Sequence, residues 1–216
     1  MPLHLANLLD PNRALIFLIT HIANLRWILA NGLVSSNSRK QDPSFVAIGN
    51  HDVISRRRAR VVPVGPGGTL ADYVPFYFTP SSVMLYNIYT GYGVKRQPQE
   101  DIVILVSSLN AVEEADRPYL FTDTMALLQG TRFFADRADL KNVDFGILKA
   151  RDFRRDNDDP AKVDRYLAEA LVFDHLPVSA LVGIGCYNDA IKTKIESLVG
   201  FAGVSARTAV RSGWYF

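Results

Sequence analysis

One cysteine, Cys186, stands alone in 216 residues. A lone thiol cannot close an internal disulfide, and it founds no thiolate metal cluster. Lying in Val182-Gly183-Ile184-Gly185-Cys186-Tyr187, it reads as a small packed hydrophobe. Histidine is scarce as well. His4, His21, His51 and His175 sit far apart without partner cysteines, so zinc-ligand spacing is missing and no metal is expected. Phosphate-cradling glycine motifs of the dinucleotide or P-loop type are absent, as is a Gly-x-Ser-x-Gly elbow. Charge of one sign is lacking too. Lys and Arg number 24 against 22 Asp and Glu, and a net +2 makes no overall demand for nucleic acid. Local clusters therefore matter more than the total. Nor is there a long apolar run at the start. Ala14-Leu15-Ile16-Phe17-Leu18-Ile19-Thr20 is about half the length of a membrane span. It lacks a small-residue cleavage pattern. The run reads as a first core strand, and the protein is expected in the cytoplasm, away from any membrane.

What the chain does have is an ordinary globular balance, 48% apolar and 21% charged. Its length fits one domain over 1–216 with a full hydrophobic core. Residues 14–20 predict a strand, and Asn24–Leu33 a short helix stopped by Gly32. Residues 34–72 carry Ser, Asn, Gly and Pro around a basic knot, Arg56-Arg57-Arg58-Ala59-Arg60. So long a stretch without periodicity predicts either disorder or a functional lid. Asp72–Phe78 is β-rich. Thr79-Pro80-Ser81-Ser82 then caps a helix ending near Gly91. Asp101–Val106 is nearly continuous in apolar residues, which predicts a strand covered on both faces. Asn142–Arg151 reads as helix, and Arg151–Lys162 as a charged loop. Leu181–Tyr187 reads as strand, Asp189–Val199 as helix and Val204–Arg211 as a last strand. Strands and helices interleave irregularly, so the fold class is α+β rather than a doubly wound sheet.

Inside Tyr166-Leu167-Ala168-Glu169-Ala170-Leu171-Val172-Phe173 stands one acid. If the run is a buried strand, the Glu169 carboxylate has few places to go except a cleft. An unpaired buried carboxylate costs roughly several kcal/mol or takes up a proton. Perturbed acids cluster at functional sites. The competing reading is a helix with Glu169 on its wet face, since Ala, Leu and Glu all favour helix.

Four blocks taken together resemble the DarT family. They are Ile19-Thr20-His21-Ile22-x-Asn24-Leu25; Arg56-Arg57-Arg58; Asp72-Tyr73-Val74-Pro75-Phe76-Tyr77-Phe78-x-Pro80-x-Ser82-x-Met84-Leu85-Tyr86; and Ala168-Glu169-x-Leu171-Val172. Gly213-Trp214-Tyr215-Phe216 looks like that family's ending. The likeness covers nearly the whole chain. It implies bacterial toxins that ADP-ribosylate single-stranded DNA with NAD as co-substrate. It implies an ADP-ribosyltransferase fold, two packed curved β-sheets around an NAD cleft with helices outside. It also implies an antitoxin partner carrying a macrodomain, and an acceptor base, commonly thymidine. One departure stands out: many members carry His where this chain has Leu18.

The resemblance places Glu169 as the catalytic glutamate. Loss of nicotinamide passes through an oxocarbenium-like state, as in glycoside hydrolysis, and a carboxylate stabilises that cation. A carboxylate can also take a proton from the attacking base. Arg57 is favoured among the three arginines for the reaction centre, with Arg58 on the dinucleotide, because guanidinium offers a bidentate fork to phosphate. A basic run can also be a solvated face. Tyr77 and Phe78 alternate in a strand, so one is core; the resemblance turns Tyr77 to the cleft. Ser82 and Met84 line the same pocket on this reading, although Ser82 equally fits a helix start. Thr20, His21 and Asn24 lie at the end of the first strand, where they either contact NAD or cap the chain. Arg154, Arg155 and Phe153 fall in the position of a substrate loop, with phosphate contacts and base stacking expected. Rival readings are transfer to guanosine, RNA or protein, and a non-catalytic nucleic-acid-binding relative of the fold.

Overall fold

The computed structural model describes residues 8–216, so His4 lies outside the described part. Ten strands are found there: β1 (Leu15–His21), β2 (Leu33–Val34), β3 (Tyr73–Tyr77), β4 (Ile102–Ser108), β5 (Tyr119–Thr122), β6 (Phe133–Phe134), β7 (Glu169–Phe173), β8 (His175–Leu176), β9 (Gly183–Cys186) and β10 (Arg207–Val210). The helices are α1 (Leu25–Asn31), α2 (His51–Ala59), α3 (Val83–Thr90), α4 (Leu109–Glu114), α5 (Phe145–Ala150), α6 (Lys162–Arg165) and α7 (Asp189–Ala202).

Eight strands form one ladder in the order β10-β9-β4-β1-β3-β7-β5-β6, and β2 pairs with β8. The ladder divides in the middle. β1 pairs with β4 at seven positions but with β3 at one, Phe17 opposite Tyr77. Pro75, which has no N–H to give a ladder, stands two residues from that single joint. The result is two four-stranded halves that separate beyond the joint. This is the form taken here by the expected pair of sheets.

β4 explains why the first half is stable. All seven of its side chains are buried, as the continuous apolar run predicts. Its two serines are satisfied. The Ser107 hydroxyl donates to the Ala180 carbonyl at 2.7 Å, and the Ser108 hydroxyl accepts from the Ala111 N–H at the start of α4. The chain end is locked onto this half. Tyr215 donates to the Ile102 carbonyl, Ser81 donates to the Trp214 carbonyl, and Trp214 packs edge-on to Phe17. A Cβ at position 185 would come within 2.6 Å of the Trp214 ring, so Gly185 is what lets the indole in.

Caps set the helix ends as the sequence predicts. The Ser82 hydroxyl accepts from the Leu85 N–H, and Gly91 closes α3 in the left-handed conformation at φ 80°. Gly32 ends α1 at φ 79°. Two expectations need correction. Residues 51–59 are helical, not part of an irregular stretch, so Arg56, Arg57 and Arg58 stand on α2. The periodicity missed it because no residue of α2 is buried. The strand in the Glu169 run starts at Glu169 itself; Tyr166–Ala168 precede it.

Candidate active site

Glu169 opens β7 and lies directly opposite Tyr77 of β3. Directly opposed residues share a face, so both side chains leave the sheet on the same side. Phe78, the next residue, turns the other way and is fully buried, edge-on to Phe121 and Phe145. Glu169 is 3% exposed. Its buried carboxylate is compensated from two directions, and its backbone is held from a third. Oε1 accepts from the Ala126 backbone N–H at 3.0 Å. Oε2 accepts from Arg57 Nη1 at 2.7 Å. The backbone N–H of Glu169 donates to the Thr122 hydroxyl at 3.1 Å.

Two donors on this face are poorly served. Arg57 Nη2 is buried with no hydrogen-bond partner. The Tyr77 hydroxyl reaches only the Met84 sulfur, at 3.6 Å, and a thioether is a weak acceptor. Burial raises the Tyr77 phenol well above its ordinary range, the Glu169 charge adds to the rise, and Arg57 opposes it. Tyr77 therefore stays a neutral hydroxyl donor. Its ring is half-buried, which leaves an aromatic face beside the carboxylate.

Helix α2 brings Arg57 over Glu169. The Asn50 side chain caps that helix by accepting from the Asp52 and Val53 N–H groups. Arg60, just past its end, donates to the Ala126 and Leu128 carbonyls. Ala126 is thus gripped twice, its carbonyl by Arg60 and its N–H by Glu169. Arg56 and Arg58 are exposed on the same helix.

The first-strand residues are tightly committed. Asn24 donates to the Thr20 hydroxyl at 3.0 Å and to the Val46 carbonyl at 2.9 Å, and accepts from the Val46 N–H at 2.8 Å. Thr20 and Asn24 thereby pin the segment leading to α2. His21 Nδ1 accepts from the Ala23 N–H. Leu18 packs half-buried in β1, opposite Leu105. Ser82 is fully buried and spent on capping α3, while Met84 is half-buried beside Tyr77. In the charged loop, Arg154 is exposed and paired with Asp152 at 2.8 Å, and Arg155 is exposed. Phe153 packs on Tyr166 and Phe216 at ring separations of 4.6 and 5.6 Å.

The structure thus gathers Glu169, Arg57, Tyr77 and Met84. It holds Thr20, Asn24 and His21 at the neighbouring strand end. Sequence reasoning missed Thr122 and the Ala126 N–H. A backbone donor 43 residues before the acid leaves no mark in side-chain pattern. Two surface cavities lie elsewhere, one of about 760 Å³ between α1 and α7 and one of about 700 Å³ beside Phe216; neither borders Glu169. Arg57 covers the carboxylate instead.

A strand-borne glutamate beside an aromatic ring, on a sheet split into two halves, fits the ADP-ribosyltransferase class. The solved structure of Thermus sp. 2.9 DarT in complex with NAD+ is similar, with a TM-score of 0.82 and 32% identity, covering 95% of this chain and 99% of that one. The same protein in complex with ADP-ribosylated ssDNA gives a TM-score of 0.87, covering 95% and 98%. A DNA ADP-ribosyl transferase of Escherichia coli O127:H6 is 49% identical over 209 residues, covering 96% of each chain. Residues 17–216 match the family model described as ssDNA thymidine ADP-ribosyltransferase, DarT. The chain belongs to the DarT family.

Proposed function

We propose that the protein transfers ADP-ribose from NAD to thymidine in single-stranded DNA and releases nicotinamide, with Glu169 as its catalytic carboxylate. The observation that carries this reading is the buried Glu169, held by a backbone N–H and by Arg57, whose second terminal nitrogen has no partner. NAD supplies an ADP-ribosyl group whose bond to nicotinamide can be broken. The face fits such a ligand, since the unserved Arg57 nitrogen and the weakly served Tyr77 hydroxyl both want acceptors.

Glu169 stabilises positive charge on the ribose as nicotinamide departs. It also lies ready to take the proton that the acceptor base loses when a ring nitrogen bonds the anomeric carbon. The Ala126 N–H holds its carboxylate in place when Arg57 moves, so the acid itself needs no reorganisation during the reaction. Arg57 turns from Glu169 towards the incoming groups, because it shields the acid otherwise. Tyr77 offers its ring to nicotinamide, with Met84 behind it. Arg58 meets the dinucleotide phosphates. Thr20, His21, Asn24 and Ser82 shape the wall, the first three at the strand end and Ser82 through the start of α3. Arg154, Arg155 and Phe153 face the DNA, and a single strand suits them because a paired, stacked base hides its ring nitrogens. The chain works as one transferase domain over residues 1–216 and as a cytoplasmic toxin, opposed by a macrodomain antitoxin. Among the described residues no helix is long and apolar enough to cross a membrane.

Incubation with labelled NAD and single-stranded DNA, duplex DNA, RNA or protein tests this reading. Label is expected in single-stranded DNA alone, and is lost with Glu169→Gln. Equal labelling by that variant, or label mainly in RNA or protein, overturns it.

A further inference from the structure

Three tyrosines stand out of the surface along α3 and the turn after it. Tyr86, Tyr89 and Tyr92 are 47%, 36% and 77% exposed. Residues three apart on a helix are neighbours, so Tyr86 and Tyr89 share a face. They present aromatic surface to solvent, which another π-face can cover. Cations accompany them. The Arg96 guanidinium lies 5.8 Å from the Tyr89 ring centroid. Tyr86 sits edge-on to Phe216 at 5.2 Å, and the Arg151 guanidinium lies 5.8 Å from that same ring.

At the Tyr86 end the strip opens into the cavity of about 700 Å³, lined by Tyr86, Arg151, Asp152, Phe153, Arg154 and Phe216. Asp152 is the one acid among those residues, and it is engaged by both Arg154 and Lys162. Among the lining side chains this leaves Arg151 as the cation not matched by an acid. Its floor is rigid, because Arg151 donates to the Gly213 carbonyl and the chain end is bonded to β4.

Both ends of α3 adjoin the reaction site. Near its start, Met84 accepts from the Tyr77 hydroxyl. Beyond its end, the Gly93 carbonyl accepts from Asn50, the residue that caps the Arg57 helix. Helix α3 thereby joins the strip to the elements of the reaction site through Met84 and Asn50.

We infer that Tyr86, Tyr89 and Tyr92, with Arg96, Arg151 and the cavity at Phe216, form a stacking platform for nucleotides that flank the modified base. The inference rests on the single-stranded DNA reading above. Exposed rings take any base by its π-face, and guanidinium groups follow the phosphates, which is the combination used for single strands. Duplex DNA offers no free base faces to it. The platform grips the strand without touching the reacting atoms, so it acts on KM and not on kcat.

The test compares two single-stranded oligonucleotides with the same target sequence at saturating NAD. One is confined to the target and its nearest neighbours; the other extends on both sides. Wild-type protein is expected to show a lower KM for the longer one. Tyr86→Ala and Tyr92→Ala should each raise that KM about tenfold, near the low end of what one base-on-aromatic stack contributes. Kinetics on the short oligonucleotide should stay as in wild type, which also reports intact folding. Tyr86→Phe, which keeps the ring, should behave as wild type. Equal KM for both lengths in wild type overturns the platform alone, as do alanine variants with wild-type KM on the long strand. Wild-type protein that modifies neither oligonucleotide overturns the reading beneath it.

Discussion

Strand β4 and strand β7 occupy matching places in the two halves of the sheet, and they bury different things. β4 encloses seven side chains, five of them aliphatic, with two serines bonded locally. β7 encloses four of its five, and the first is a carboxylate. Around Leu105 the neighbours are hydrocarbon, and any side chain of the right volume would serve. Around Glu169 the neighbours are a backbone N–H at 3.0 Å, a guanidinium at 2.7 Å and Tyr77 directly opposite in the sheet. One half is held by area removed from water. The other spends some of that stability on an acid whose removal leaves a half-buried cation behind. The difference separates the scaffold from the site, and the joint at Phe17 and Tyr77 is where they meet.

The strongest way to break this contrast is Glu169→Gln. It keeps the shape and one acceptor for the Ala126 N–H, so the fold should persist, while DNA labelling should fall about 10²- to 10⁴-fold. Near-wild-type rates would remove the functional half of the comparison. Alanine at that position is a poorer probe, because it removes both acceptors and leaves a cavity, whereas Gln loses only the acceptor facing Arg57. Leu105→Ala sharpens the other side. A cavity in β4 should cost about 2–5 kcal/mol in chemical denaturation, with kcat per folded molecule unchanged. A large drop in kcat at unchanged stability would mean that the halves are not separable.

A smaller effect is expected at Asp72, which leads into β3. Its carboxylate accepts from the Thr69 N–H, the Thr69 hydroxyl and the Asn37 amide. Burial pushes its carboxyl up, but these bonds outweigh that and hold it below the ordinary value. A depressed carboxyl stabilises the fold above its unfolded-state pKa of about 3.9 and loses that contribution as pH falls through the folded value. Asp72→Asn should therefore cost about 1 kcal/mol at neutral pH, the size of a helix cap, and the melting-temperature gap to wild type should close in acid. A gap that widened in acid would contradict the assignment. The least change belongs to Cys186. Burial, with Asp189 nearby, pushes its thiol up to about 11. It should resist alkylating reagents at neutral pH until the protein unfolds; fast labelling of the native protein would contradict its place in the core.

Much of the scaffold was legible in the sequence, and the reasons are physical. β4 announced itself because a strand covered on both faces has no polar side to interrupt it. α3 was marked by Ser82 and Gly91 because caps act through local backbone geometry. Glu169 stood out because an acid in an apolar run is costly, and that cost is what the Ala126 N–H and Arg57 offset. Helix α2 was hidden for the opposite reason. It buries no residue, so it lacks an apolar stripe, and its hold on the fold is by Asn50, Arg57 and Arg60 at its ends. The partners of Glu169 were hidden as well, since a peptide N–H belongs to every residue but proline. Ser82 was visible as two alternatives, and its fully buried hydroxyl now serves the cap.

A structure with a non-hydrolysable NAD analogue tests the central claim most directly. The account predicts a Glu169 carboxylate oxygen within hydrogen-bond reach of the ribose that carries nicotinamide, with Arg57 turned away from the acid. An analogue bound elsewhere, with the Arg57–Glu169 pair still closed at 2.7 Å, would contradict it.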